Sequence, residues 1–238
     1  MICKLCRKDR PLKNSHIIPE FIYGPLYDEK HRFHVISTMK TTKNAKLQKG
    51  IREKLLCGMC ESKLSEYERY VSLVFSGAEP TKAIRSGNLV KLEELDYIKF
   101  KLFSLSVLWR AAVSSLPFFS PVRLGPHEEL LRRMVHENNP GTHEQYPFMM
   151  ALVTHEDVVQ TDLIIQPSWS RMEGHYSYRF VFGGIAWVYL VSSHKPPSII
   201  SHATLSESGV TTMLVSEVSN MPFIVDFAKE LKLSGKLS

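Results

Sequence analysis

The sequence predicts an α+β protein in which an N-terminal zinc module of ββα form (residues 1–72) leads through a connecting region (73–95) into an α+β domain (96–238). Three observations predict it. Two Cys-x2-Cys pairs bracket the first sixty residues. Apolar residues at helical spacing fill much of the stretch 97–137. Beyond residue 148 the period shortens to that of strands, which gives helices first and then an antiparallel sheet.

Composition narrows the class. The chain has 238 residues, 44% of them apolar and 23% charged, which suits a globular protein and excludes disorder. Its longest apolar stretch, 102–116, is broken by Arg110 and preceded by Lys99 and Lys101, so it does not read as a membrane span. The start, Met1-Ile-Cys-Lys-Leu-Cys6, lacks the apolar core of a secretion signal. A cytoplasmic protein is expected, with its thiols reduced and available to metal.

The first element is the pair of knuckles. Cys3-Lys-Leu-Cys6 and Cys57-Gly-Met-Cys60 are separated by 50 residues and use all four cysteines of the chain. A Cys-x2-Cys turn sets two thiolates on one side of a tight loop, and two such turns complete a tetrahedral S4 site suited to structural Zn2+. The stretch between them is poor in core residues, so metal binding is expected to supply much of the module's folding free energy.

Charge concentrates in the same segment. Residues 1–60 hold 13 Lys and Arg against 5 Asp and Glu, a net +8, which leaves −2 for the rest of a +6 chain. A positive field of this kind suits a polyanion as well as it suits a solvated face. Lys40, Lys43, Lys46, Lys49, Arg52 and Lys54 crowd the approach to the second knuckle and are candidates for phosphate-backbone contacts. His31 and His34 fit that basic surface better than a ligand set.

Between the knuckles, Ser15-His16-Ile17-Ile18 reads as a short strand ended by Pro19. After the second knuckle, Leu64, Tyr67 and Val71 fall on one face of a helix, and Glu61 and Glu68 share another. The order knuckle, hairpin, knuckle, helix is that of a treble clef.

These motifs carry a resemblance. A Cys-x2-Cys, a strand with Ser15-His16-Ile17-Ile18-Pro19-Glu20-Phe21, and Leu55-Leu-Cys-Gly-Met-Cys-Glu61 running into a helix resemble the zinc-stapled HNH endonucleases, the ββα-metal or His-Me finger group. The two longer segments also look like a poorly characterised bacterial group. The resemblance covers about the first 70 residues. It implies that His16 is the general base that activates water, and that Mg2+ or Mn2+ holds the scissile phosphate. It makes Glu61, which follows the last cysteine, a ligand of that ion, with Glu68 near enough to assist. It also implies a nucleic-acid partner, DNA before RNA, and a setting such as bacterial defence.

The sequence departs from the pattern at two places. Ser15 stands where an Asp or His commonly binds the catalytic ion, and the middle Asn has no clear counterpart, Asn44 and Gln48 being candidates. Two functions therefore stay open: a metal-dependent endonuclease, and a non-catalytic zinc-stapled module that docks on nucleic acid or on a protein.

The remaining elements follow in order. Turn signals at 76–80 and 86–88 make 73–95 a connector. A buried helix runs over 97–116 to Pro117, with Trp109 and Arg110 as packing and helix-edge residues. An amphipathic helix covers 127–137 and ends at Asn138-Asn-Pro-Gly141. Strands are expected at 148–154, 161–166, 176–192 and 211–217, with Gly183-Gly184 either a hairpin turn or a bulge. Pro222 introduces a last helix, 223–233. No phosphate loop, nucleophile elbow or second ligand set occurs there, which leaves recognition of a partner protein or homo-oligomerisation as the domain's expected role.

Overall fold

The structure is a computed structural model that describes residues 1–30, 32–35 and 45–233. Lys40 and Lys43 lie outside the described residues, as do His31, Asn44 and the side chains of His34 and Lys46. The fold is mixed α and β. No helix among the described residues is long and apolar enough to cross a membrane.

The first knuckle leads into β1 (Leu12–His16), a 3-10 turn (Glu20–Leu26), the hairpin β2 (Arg32–Val35) and β3 (Ala45–Gln48), and β4 (Arg52–Cys57). β1 lies antiparallel to β4, so that Leu12 faces Cys57 and His16 faces Arg52. The predicted strand around His16 sits slightly earlier than its apolar pair suggested: Ile17 and Ile18 follow the strand as buried residues. The second knuckle then opens α1 (Gly58–Ser76), which Gly77 closes in the left-handed conformation with its N–H on the Leu73 and Val74 carbonyls.

The stretch read as a connector contains a hairpin, β5 (Lys82–Ser86) and β6 (Leu89–Glu93). Its turn signals are genuine, but the turn joins two strands. β5 is exposed along its whole length, so it lacks the apolar alternation by which a strand is read. α2 (Tyr97–Val113) begins at Asp96, whose side chain accepts from the Lys99 N–H, and stops a few residues before Pro117. The early stop has a cause: Glu53 accepts from the Ser114 hydroxyl and from the Ser115 N–H, drawing that backbone out of the helix. α3 (His127–Glu137) ends at a left-handed Asn138, as its sequence predicts.

The main sheet collects β5, β6 and β7 (Phe148–His155), a two-residue β8 (Val158–Val159), β9 (Ile165–Met172), β10 (His175–Phe182), β11 (Ile185–Val191) and β12 (Thr211–Glu217). Its order is β5-β6-β12-β7-β11-β10-β9, with β8 paired to β7. The expectation of an antiparallel sheet needs one correction: β12 pairs with β7 in parallel, so the sheet is mixed. β9 also lies later than expected, because Pro167 and its serine neighbours disguise a strand at the sheet edge, where a missing N–H is tolerated. Gly183 and Gly184, both with positive φ, form the tight turn between β10 and β11. α4 (Pro222–Leu233) is the last element among the described residues.

α2 packs its apolar face on this sheet. Trp187 of β11 stacks on Phe182 at 5.2 Å and lies against Phe100 and Phe103 of the helix. A single buried cluster runs from Cys3 and Leu5 of the first knuckle through α1 and α2 to Trp187 and Tyr189. The cysteine-bearing module therefore shares its core with the sheet.

Candidate metal centre and the His16 hairpin

Backbone hydrogen bonds shape the first knuckle before any metal is considered. Cys3 N–H donates to Lys8 O, Arg7 N–H donates to Cys3 O, and Arg7 takes a positive φ of 58° to complete the turn. Lys4 N–H donates to Leu55 O at 3.1 Å, which sets this knuckle beside the end of β4. The second knuckle is the junction of β4 and α1, with Cys57 just before the helix and Cys60 in its first turn.

All four sulfurs consequently lie within 4.8 Å of one another. Cys6 Sγ and Cys57 Sγ are 3.8 Å apart. A disulfide would need about 2.05 Å, whereas tetrahedral thiolates about 2.3 Å from zinc stand roughly 3.8 Å from each other. Cys57 N–H also points at Cys3 Sγ, at 3.3 Å. Burial pushes the Cys3 and Cys60 thiols up. Burial opposes ionisation of Cys57 too, but the Cys60 N–H and the neighbouring thiols outweigh it and bring Cys57 down to about 6. Four such sulfurs could hold one metal ion such as zinc.

α3 supports the knuckle from outside. Arg132 donates to Leu5 O, and Glu129 accepts from both Arg132 and Arg7. The sequence reading missed both residues, since nothing local to α3 indicates what its charged face meets.

His16 ends β1. Its Nε2 lies 2.8 Å from Lys49 O. A carbonyl only accepts, so Nε2 carries the proton, and in the neutral ring Nδ1 keeps its lone pair. The contact depends on the Lys49-Gly50 turn before β4, where both residues have positive φ, 61° and 74°. A Cβ on Gly50 would stand 2.8 Å from His16 Cδ2 and 2.9 Å from Tyr23 Cε2, so only glycine fits. The Lys-Gly pair in the sequence was a readable turn signal for this contact. Ser15 points inward and is fully buried, its hydroxyl accepting the Leu56 N–H at 3.0 Å.

The carboxylates are placed differently from each other. Glu61, in the first turn of α1, has a buried Oε1 with no hydrogen-bond partner among the described residues. Glu68 Oε1 pairs with Arg110 Nη1 at 2.7 Å, and the same Nη1 donates to His16 O at 2.7 Å. Arg110 is 1% exposed and also bonds Ser106, one turn back in α2. It thus joins α2, α1 and β1, where the sequence suggested a helix-edge residue. A lone arginine inside an apolar helix was the available signal. His16 and Glu68 are brought together through Arg110, and no hydrogen bond or ion pair joins Glu61 to either. Among the described residues, the cysteines are the group of three or more metal-ligating side chains arranged to share one ion.

Of the predicted phosphate contacts, Lys49 and Lys54 are exposed and Arg52 is half-buried. The register sets Arg52 opposite His16 and Lys54 opposite Asn14, so these cations share the histidine's side of the hairpin. None of the three has a carboxylate in ion-pair contact among the described residues.

No family model, no curated protein and no solved structure matches the chain.

Proposed function

We propose that the protein is a metal-dependent endonuclease whose general base is His16. The observation that carries the reading is the Nε2–Lys49 O hydrogen bond: it fixes the ring and leaves Nδ1 to take a proton from an attacking water. Zn2+ on Cys3, Cys6, Cys57 and Cys60 has a structural part, holding the hairpin that carries His16 against α1. The Oε1 of Glu61, without a partner among the described residues, is a hard donor suited to Mg2+ or Mn2+, and Glu68, one oxygen of which Arg110 holds, is proposed as the second ligand. A divalent ion there would hold the phosphate and stabilise the leaving oxygen. Lys49, Arg52 and Lys54 supply phosphate contacts without reading sequence, which suits a nucleic acid, with DNA the first choice.

A second reading is favoured by Ser15. Its hydroxyl is spent inside the hairpin on the Leu56 N–H, which removes a ligand position next to His16. On that reading the same basic hairpin is a non-catalytic docking module. Incubation of zinc-loaded protein with supercoiled plasmid and Mg2+ or Mn2+, beside His16→Ala of equal zinc content, separates the two. Nicking by the wild type alone supports the nuclease. Equal retardation of the plasmid by both proteins, with no cutting, supports the docking module.

A further inference from the structure

A second surface lies at the far edge of the main sheet. β9 is the last strand, paired on one side to β10. Arg171 stands opposite Tyr176 across this pair and Trp169 opposite Tyr178, so these four side chains share one face. Tyr178 is buried, and its hydroxyl donates to the backbone carbonyl of Arg123. The other three project beyond the part that α2 covers: Trp169 is 54% exposed, Tyr176 is 46% exposed, and Arg171 is exposed as well.

The three form a preassembled group. The Trp169 and Tyr176 rings are 6.0 Å apart at 51°, and the Arg171 guanidinium lies 5.0 Å over the Tyr176 ring. Arg179 donates to Trp169 O from the neighbouring strand and steadies the backbone beneath. Arg123, whose backbone carbonyl receives the Tyr178 hydroxyl, turns its Nε to the Ser120 carbonyl at 3.4 Å and is not part of this group. Arg171 has no carboxylate in ion-pair contact among the described residues. Two large aromatic faces with an unneutralised guanidinium over one of them call for a flat partner that also carries negative charge. Unpaired bases on a phosphate backbone have both properties.

We propose that Trp169, Tyr176 and Arg171 form a stacking platform for single-stranded nucleic acid. It is separate from the His16 hairpin and does not depend on what that hairpin does.

The three tryptophans make the test specific, because Trp109 and Trp187 are fully buried and Trp169 is the exposed one. Full-length, zinc-loaded His16→Ala protein is titrated with oligo(dT) and, separately, with a duplex of equal length. Divalent ions are left out, so that cleavage plays no part. Saturable quenching of tryptophan fluorescence by the single strand and not by the duplex is expected. Trp169→Ala should lower single-strand affinity by roughly fivefold to 150-fold, while Trp169→Phe retains most of it. Thermal melts of both variants check that the fold is intact. Unchanged affinity in Trp169→Ala would overturn the proposal, and so would quenching by the duplex alone. Concentration-dependent dimerisation that shields Trp169 from a soluble quencher would also overturn it, in favour of a second copy of the chain.

Discussion

Arg110 offers the sharpest prediction about how the halves of the fold are held together. Arg110→Met keeps most of the side-chain volume and removes the charge. Two acceptors then lose their donor: His16 O and Glu68 Oε1, each now 2.7 Å from Nη1. Breaking a buried ion pair costs about 3–5 kcal/mol because one charge stays behind. Glu68 is 21% exposed, so water can reach it and the lower end applies. A loss of about 3 kcal/mol is expected, or a fall in melting temperature of roughly 6–12 °C at 2–4 °C per kcal/mol for a chain of this size. Adding Glu68→Gln removes the stranded carboxylate and should restore about 1–2 kcal/mol, although on its own it also breaks the pair. Urea unfolding of the zinc-loaded proteins reads all four corners of this cycle. Arg110→Met within about 0.5 kcal/mol of the wild type, or a double variant no more stable than Arg110→Met, would refute the reasoning.

Three further outcomes follow from the same geometry. Cys57→Ser removes the thiol held down to about 6. Bound zinc should fall well below one per chain by metal analysis, and the protein should lose several kcal/mol of stability, as chelation of the wild type would. Gly50→Ala forces a Cβ to within 2.8 Å of His16 Cδ2 at a φ of 74°, so a loss of about 1–3 kcal/mol in urea unfolding is expected, with any plasmid nicking reduced. Lys101 is 1% exposed, and burial holds its ammonium down to about 7, with Glu207 opposing that shift. The unfolded chain binds the proton that the folded one has released, so this residue's contribution to stability rises from pH 7 towards the ordinary lysine range. Over pH 7–9 the slope should reach about 1.4 kcal/mol per pH unit at most, and it should vanish in Lys101→Met.

Much of the fold was legible because the signals were local. The two Cys-x2-Cys pairs, the Asp96 start of α2, the Asn138 stop of α3 and the Gly183-Gly184 turn each act through neighbours in sequence. Long-range features escaped. β5 has no buried residue to mark its register, and β9 carries Pro167, so pairing partners alone decide that these segments are strands. The parallel pairing of β12 with β7 leaves no mark on either strand. In the candidate site the sulfurs were readable from spacing. The Arg110 link between His16 and Glu68 spans 94 and 42 residues, and no local pattern announces it. Glu68, read as a metal ligand, has one oxygen committed to that arginine.

Chemical rescue of His16→Ala tests the account most directly. The substitution leaves the Lys49 carbonyl and an open space where the ring stood. Zinc-loaded wild type, His16→Ala, and His16→Ala with added imidazole are compared for plasmid nicking in Mn2+. The account predicts cutting by the wild type, none by the variant, and partial recovery with imidazole. Undiminished cutting by His16→Ala alone would contradict it.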